Sequence, residues 1–420
     1  MDKRTFLKNS TLLGLGSMVS FSVLGKMVDS IKHLPVNEVA KDEDFWKSIR
    51  AGYKLKPDYI NLENGYYCIQ PQEILERYLA HIHEVNLSGA YYMRTVQQEQ
   101  KNEAAKKLAD LAGCSADELI ITRNTTESLD MIIAGLDWKP GDEAIMATHD
   151  YGSMLEMFKQ IAKRHGVVNK IISIPLNPKS DEEIIELYRN AITPKTKLIM
   201  VCQMINITGQ ILPVRKICDM AHEKNVKVMV DGAHAFAHLN FKIPDLHCDY
   251  YGTSLHKWLS VPIGTGLLYI KKENIKDIWP LLAEGERKED DITRLNHVGT
   301  HPPATDLTIS DAIDYYTKIG AERKEARLRY LQNYWTSKVR ALPHIVLFTP
   351  EDTQRSCGIA NVGVKGMKPG DLHKMLFDKY KIYTVAIDNN GVQGCRVTPN
   401  IYTSLEDLDA LVVALKEIKG

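Results

Sequence analysis

Between Glu143 and Val230 short apolar runs alternate with longer amphipathic ones, and few architectures accept that order. The apolar runs are Glu143 to Ala147, Val168 to Ile174, Lys197 to Gln203 and Val226 to Val230, and helical spacing falls near Ser153 to Lys163, Asp181 to Ala191 and Pro213 to Lys224. Strands joined by helices imply crossover connections, so the pattern predicts an α/β chain built on a mainly parallel sheet with helices on both faces. No Gly-x-Gly-x-x-Gly follows the first strand, which disfavours a dinucleotide enzyme. In open sheets of this kind ligands sit outside the carboxyl ends of the strands.

Two such ends carry chemistry. The run Val226-Lys227-Val228-Met229-Val230 delivers Asp231, and Thr253-Ser254-Leu255-His256-Lys257-Trp258 delivers Lys257 just ahead of Gly264-Thr265-Gly266. Alone, an Asp after a strand is a turn or cap residue and a Lys is a solvated charge. Together they are what pyridoxal 5′-phosphate needs: an amine to form a Schiff base and a carboxylate to keep the pyridinium nitrogen protonated.

A phosphate cradle precedes them. Glu118 to Thr122 reads as a strand, Arg123 to Ser128 as a turn, and Leu129, Ile132 and Ile133 recur at helical spacing, so a helix starts near Thr126. Its first turn offers unpaired N–H groups and a positive dipole end to an anion, although Thr and Ser before a helix also serve as plain N-caps.

The run from Val230 to His234, the Ser254-x-His256-Lys257 tetrad and the following Gly-x-Gly resemble the class V aminotransferase family of fold-type I pyridoxal phosphate enzymes, in particular its isopenicillin N epimerase-like members. The resemblance covers about residues 45 to 420. It implies a large cofactor-binding domain over residues 46–302 and a smaller α+β domain over residues 303–420. It carries Lys257 as the catalytic amine and Thr125, Thr126, Ser254 and His256 as phosphate ligands. Tyr151 takes the ring-stacking place, with His149 as the alternative, and Asn206 and His234 approach the phenolic oxygen. Thr300 would reach the phosphate of a neighbouring subunit, which implies a homodimer with shared active sites. Arg396 would grip an α-carboxylate in a bidentate way. Asn64 and Gly65 would lie at the mouth of the site, with Tyr91 to Arg94 as a further stretch of rim. The equivalent of the desulfurase nucleophile is missing, because Tyr383 to Asn390 holds no Cys and Cys395 lies in the strand beside Arg396.

With these residues the expected activity is at the α-carbon of an amino acid. Once the α-proton leaves, its return to the opposite face gives an epimer, protonation at the cofactor gives transamination, and loss of a side-chain substituent gives a lyase. An exported binding protein that uses the fold without turnover is the alternative from another class.

The 53 basic and 53 acidic residues balance, and no basic run with interleaved aromatics points to nucleic acid. Seven scattered cysteines without a Cys-x-x-Cys suggest neither a metal site nor a disulfide framework. At the amino terminus Lys3-Arg4-x-Phe6-Leu7-Lys8 precedes an apolar run from Thr11 to Gly25, resembling a twin-arginine signal whose first Arg is Lys. Residues 1–30 are thus expected as an export signal and residues 31–45 as a polar linker, with a periplasmic mature protein and no membrane span. If the segment is an uncleaved amphipathic helix instead, the protein stays in the cytoplasm.

Overall fold

The computed structural model describes residues 21–282 and 285–418. Seven strands form the large sheet: β1 (Leu119–Thr122), β2 (Glu143–Ala147), β3 (Val168–Ile172), β4 (Thr196–Cys202), β5 (Lys227–Asp231), β6 (Tyr250–Ser254) and β7 (Gly266–Ile270). They lie in the order β1-β7-β6-β5-β4-β2-β3, and β7 alone runs against its neighbours. Successive side chains feed opposite faces. Ile145, Ile199, Val201, Val228 and Val230 enter one core, while Ala144, Met146, Leu198, Met200 and Met229 enter another. The edge strand β3 departs from the expected two-sided cover, since Val168 and Ile171 are half-exposed.

In chain order the principal helices are α1 (Gln72–Thr95), α2 (Gln97–Ala112), α3 (Thr125–Gly135), α4 (Gly152–His165), α5 (Asp181–Ala191), α6 (Val214–His222), α7 (Pro303–Ile319), α8 (Ala321–Val339), α9 (Pro369–Tyr380) and α10 (Leu405–Glu417). A second sheet of antiparallel strands, β8 (Ile345–Leu347), β9 (Ala360–Val364), β10 (Val385–Asn389) and β11 (Val392–Val397), is ordered β10-β11-β9-β8. Its core joins Val362, Cys395 and Val397 to Leu331 and Trp335 of α8 and Leu408, Leu411 and Leu415 of α10. This is the smaller α+β domain.

Three boundaries differ from the sequence reading. The residue pattern from Pro303 to Leu342 predicts one long helix, where the structure has α7 and α8, broken at Gly320 with φ 93°. Because α7 packs on α1 and α2, it belongs with the large sheet, and the division falls at Gly320 rather than at residue 303. The last helix is capped by the reciprocal pair Ser404 and Asp407, one residue beyond the Thr403-x-x-Glu406 box the sequence suggests.

Residues 31–45 are not a linker. Ile31, Val39 and Phe45 are buried in the main core, and Trp46 beside them donates its indole N–H to Val39 O at 2.7 Å. Arg327 of α8, fully buried, donates to Ala40 O at 3.0 Å and pairs with Glu43, its guanidinium 5.4 Å from the Trp46 ring centre. Alternating charges disguise this segment, whose apolar residues are few, with Ile31, Val39, Ala40 and Phe45 buried. Helix Phe21–Ile31 likewise packs against α7, and its Leu24 and Met27 are buried in the main core. The greater part of the expected signal, residues 1–20, lies outside the described residues. Trp46→Ala should cost about 3–5 kcal/mol in urea unfolding, whereas a change within about 0.5 kcal/mol, as at an ordinary surface site, would restore the linker reading.

Candidate active site

The reversal of β7 assembles the site. Since β7 is antiparallel to both β6 and β1, the ends of β1, β5 and β6 share one edge, and Ser254 and Thr122 both stand opposite Gly266. A Cβ on Gly266 would come within 2.7 Å of the Asn124 backbone, so only glycine lets the start of α3 close on the end of β6. The resulting contact is direct: Ser254 Oγ accepts from Thr125 N at 2.9 Å and lies 2.7 Å from Thr125 Oγ1. The cap of α3 is Asn124, whose side chain accepts from Glu127 N at 2.9 Å. Thr125 and Thr126 are therefore not spent as caps, and the N–H of half-buried Thr126 precedes any intrahelical acceptor. His256, two residues past Ser254, keeps a buried Nδ1 without a partner. Burial and the nearby Lys257 push its imidazole down to about 4.

Asp231 ends β5 beside Gly252 of β6, and its Oδ1 accepts from Ala233 N at 2.9 Å. Burial raises its carboxyl, with the Ala233 N–H and the Lys257 charge opposing. Lys257 Nζ lies 3.1 Å from His234 Nε2. Burial pushes the amine down to about 8; Asp231 opposes that shift and Arg396 adds to it. His234 is held well below its usual range, first by burial and then by Lys257. Trp258 Nε1 reaches His234 Nδ1 at 3.4 Å, and an indole can only donate. That contact makes Nδ1 the acceptor and places the proton on Nε2, which can donate to Lys257 Nζ once the amine is deprotonated above about 8.

Around the rim, Tyr151 precedes α4 with 42% of its surface exposed, while His149 Nε2 is engaged with Asn390 O at 3.1 Å. Asn206 follows β4, and its carbonyl accepts from Arg396 Nη1 at 3.3 Å. Arg396 lies in β11, buried, and is already occupied: Nε and Nη2 donate to Glu63 Oε2 and Oε1 at 3.1 and 2.5 Å. The Asn64 amide is spent inside the protein rather than open at the mouth of the site. Asn64 is fully buried, with Nδ2 donating to Thr398 O and Oδ1 accepting from Tyr402 Oη and Asn61 Nδ2, so its amide ties the strand at Ile60–Asn61 to the smaller domain. Gly65 lies against Arg396, where a Cβ would stand 3.0 Å from the guanidinium carbon. In the stretch Tyr91 to Arg94, Tyr91 is exposed and Tyr92 turns inward, donating to Gln100 Oε1 at 2.7 Å. Thr300 is exposed, and its neighbours Val298 and His301 line a small cavity with Arg123 and Glu127 beside the start of α3.

The donors fit the cofactor at both ends. Hydroxyls, an open helix N-terminus and the orphaned His256 nitrogen suit a phosphate, and a buried acid beside a deprotonatable amine suits the ring and its aldehyde. The sequence reading missed Glu63, Trp258 and a second buried lysine, Lys324, which donates to Trp258 O. Of these only Glu63 left a signal: an Arg inside a strand demands a partner, and Glu63 adjoins the Asn-Gly turn.

The family model for class V aminotransferases matches residues 69–411. The chain belongs to that family. As a class V aminotransferase family member it is a pyridoxal-phosphate-dependent enzyme, and its cofactor is pyridoxal 5′-phosphate. It is 25% identical to isopenicillin N epimerase of Streptomyces clavuligerus over 395 residues, 89% of this chain and 98% of that one. It is 26% identical to a cysteine desulfurase of Haloferax volcanii over 385 residues, 85% and 88% of the two chains. Among solved structures it shares its fold with a cystine C–S lyase in complex with cysteine persulfide, at TM-score 0.79 and 22% identity over 87% of this chain and 99% of that one. The apo cysteine desulfurase of Thermococcus onnurineus gives TM-score 0.78 at 22% identity over 88% and 97%.

Cofactor addition consumes a neutral amine. Uptake of pyridoxal 5′-phosphate by cofactor-free protein, followed by absorbance, should therefore rise with pH to a midpoint near the Lys257 value of about 8. A midpoint at the ordinary lysine value of 10.5 would contradict the buried amine.

Proposed function

We propose that the protein removes and returns the α-proton of an amino acid, as an isopenicillin N epimerase-like member of its family. The observation that carries this reading is the Lys257 amine held beside His234 and coupled to Asp231. When bound, the cofactor's protonated ring withdraws electrons from Cα and acidifies its hydrogen. Lys257 is the base that takes that proton from its own face of the ring, and inversion then needs a proton delivered to the face that Lys257 does not reach. His234, neutral and fixed by Trp258, donates from Nε2 toward the phenolic oxygen. Asp231 would hold the ring-nitrogen proton, Thr125, Thr126, Ser254 and His256 would hold the phosphate, and Tyr151 would cover the ring.

Relatives named isopenicillin N epimerase match over 98% of their length and a probable cysteine desulfurase over 97%, so matched length does not separate the branches. Transamination and side-chain elimination use the same residues and remain the alternatives. The cysteines speak against desulfuration. None of the seven is exposed, and burial pushes the Cys68 and Cys114 thiols up to about 12 and the Cys395 thiol to about 11. A nucleophile needs a thiolate.

We also propose a homodimer in which Thr300 reaches the partner's phosphate. Export through a twin-arginine-like signal is proposed from residues 1–30 alone. Among the described residues no helix is long and apolar enough to cross a membrane.

Incubating the enzyme with the standard L-amino acids in deuterated water and scoring by proton NMR should show Cα exchange with inversion and no keto acid. Pyruvate or ammonia would instead mark elimination, and a keto acid transamination. Lys257→Ala should abolish every one of these, and turnover surviving it would refute the assigned base.

A further inference from the structure

We propose that Glu63 is a built-in competitor for the carboxylate subsite, a specificity-determining residue that occupies Arg396 and weakens its grip on the substrate. The proposal rests on the reading of Arg396 as the α-carboxylate ligand of an amino-acid enzyme. A guanidinium has five N–H donors. Glu63 takes Nε–H and one Nη2–H, and Asn206 O takes one Nη1–H, leaving one donor on each terminal nitrogen. A substrate carboxylate can bind across those two only with Glu63 still in place, or can bind more fully by displacing it.

Neither route is free. The two side chains are 9% and 6% exposed, so a second carboxylate on the same guanidinium is repelled by the first with little water to screen it. Displacement is resisted as well, because Glu63 Oε1 also accepts from Tyr66 N at 3.0 Å and the Glu63 N–H is held by Asn61 Oδ1 at 3.2 Å. The bridge between Glu63 and Thr398 places Glu63 beside the end of β11, and Gly65 leaves no side chain that could separate the pair. Arg396 thus meets the substrate as half of a neutral pair. Substrates bearing a further anion near this end suffer the largest penalty, which points to an amino acid with a neutral or cationic group next to its carboxylate.

The sign of one substitution decides the matter. Glu63→Gln keeps the length and one acceptor for Tyr66 N–H but removes the charge. In cofactor-loaded Lys257→Ala protein, where calorimetry reads binding without turnover, Glu63→Gln should tighten the dissociation constant about tenfold for the L-amino acid that exchanges fastest in the wild type, a change of about 1.4 kcal/mol. In the Lys257-containing enzyme, the ratio of kcat/KM for that amino acid to kcat/KM for the amine lacking its carboxylate should rise by a similar factor. Glu63→Asp, which keeps the charge on a shorter arm, should leave the weak wild-type binding in place. Binding weakened by Glu63→Gln, or altered by less than about twofold, would overturn the competitor role. If the wild type neither binds nor exchanges any of the amino acids, the functional reading has failed and this proposal falls with it.

Discussion

The site depends on β7 running backwards. In an all-parallel sheet the segment after β6 would leave the carboxyl edge through a long crossover. Here it turns through Lys257 and returns along β7 to pair with β1, so the lysine stays at the edge where Asp231 ends β5. The same pairing sets Gly266 under Asn124 and brings the first turn of α3 onto Ser254. One antiparallel strand thus fixes the spacing between the amine, the acid and the phosphate cradle.

Burial then sets the protonation states. The interior around Lys257 lowers its amine to about 8, and the same desolvation raises the Asp231 carboxyl. A cationic ring nitrogen beside Asp231 would draw that carboxyl back down, so acid and cofactor each stabilise the charged form of the other. Lys324 is lowered to about 8 by the same cause, yet it has a different position: it donates to Trp258 O beneath the segment that carries Lys257, with the Tyr316 ring 5.4 Å away. Low basicity alone therefore does not mark the reactive lysine. What separates the two is that Lys257 faces His234 and Asp231, and Lys324 supports the backbone of the next residue.

Much of this was legible in the residues because local pattern and global fold agree. The alternation from Glu143 to Val230 marked the parallel strands and put Asp231 at a strand end, while Ser254 and Lys257 stood out through the separate run from Thr253 to Trp258. Contacts between distant segments were not legible. Among the charges from Lys41 to Lys47 nothing local marks the burial of Trp46, whose partner Arg327 lies in α8, and the short helix at Val36–Val39 packs against that same distant element. The family resemblance puts Asn64 at the mouth of the site, where the residues alone show only a turn, but its amide is consumed by Thr398 and Tyr402 far along the chain. Arg396 signalled its need for a partner and not which partner would come. The capping box was misplaced by one residue because Thr403 and Ser404 offer the same hydroxyl and Glu406 and Asp407 the same carboxylate.

The central claim is that Lys257, and not the equally lowered Lys324, joins the cofactor. Borohydride reduction of the cofactor-loaded protein followed by proteolysis and mass spectrometry reads this directly. The account requires a stable pyridoxyl adduct on the peptide carrying Lys257 and none on that carrying Lys324. An adduct on Lys324, or a Lys257 peptide left unmodified in protein that has taken up the cofactor, would contradict it.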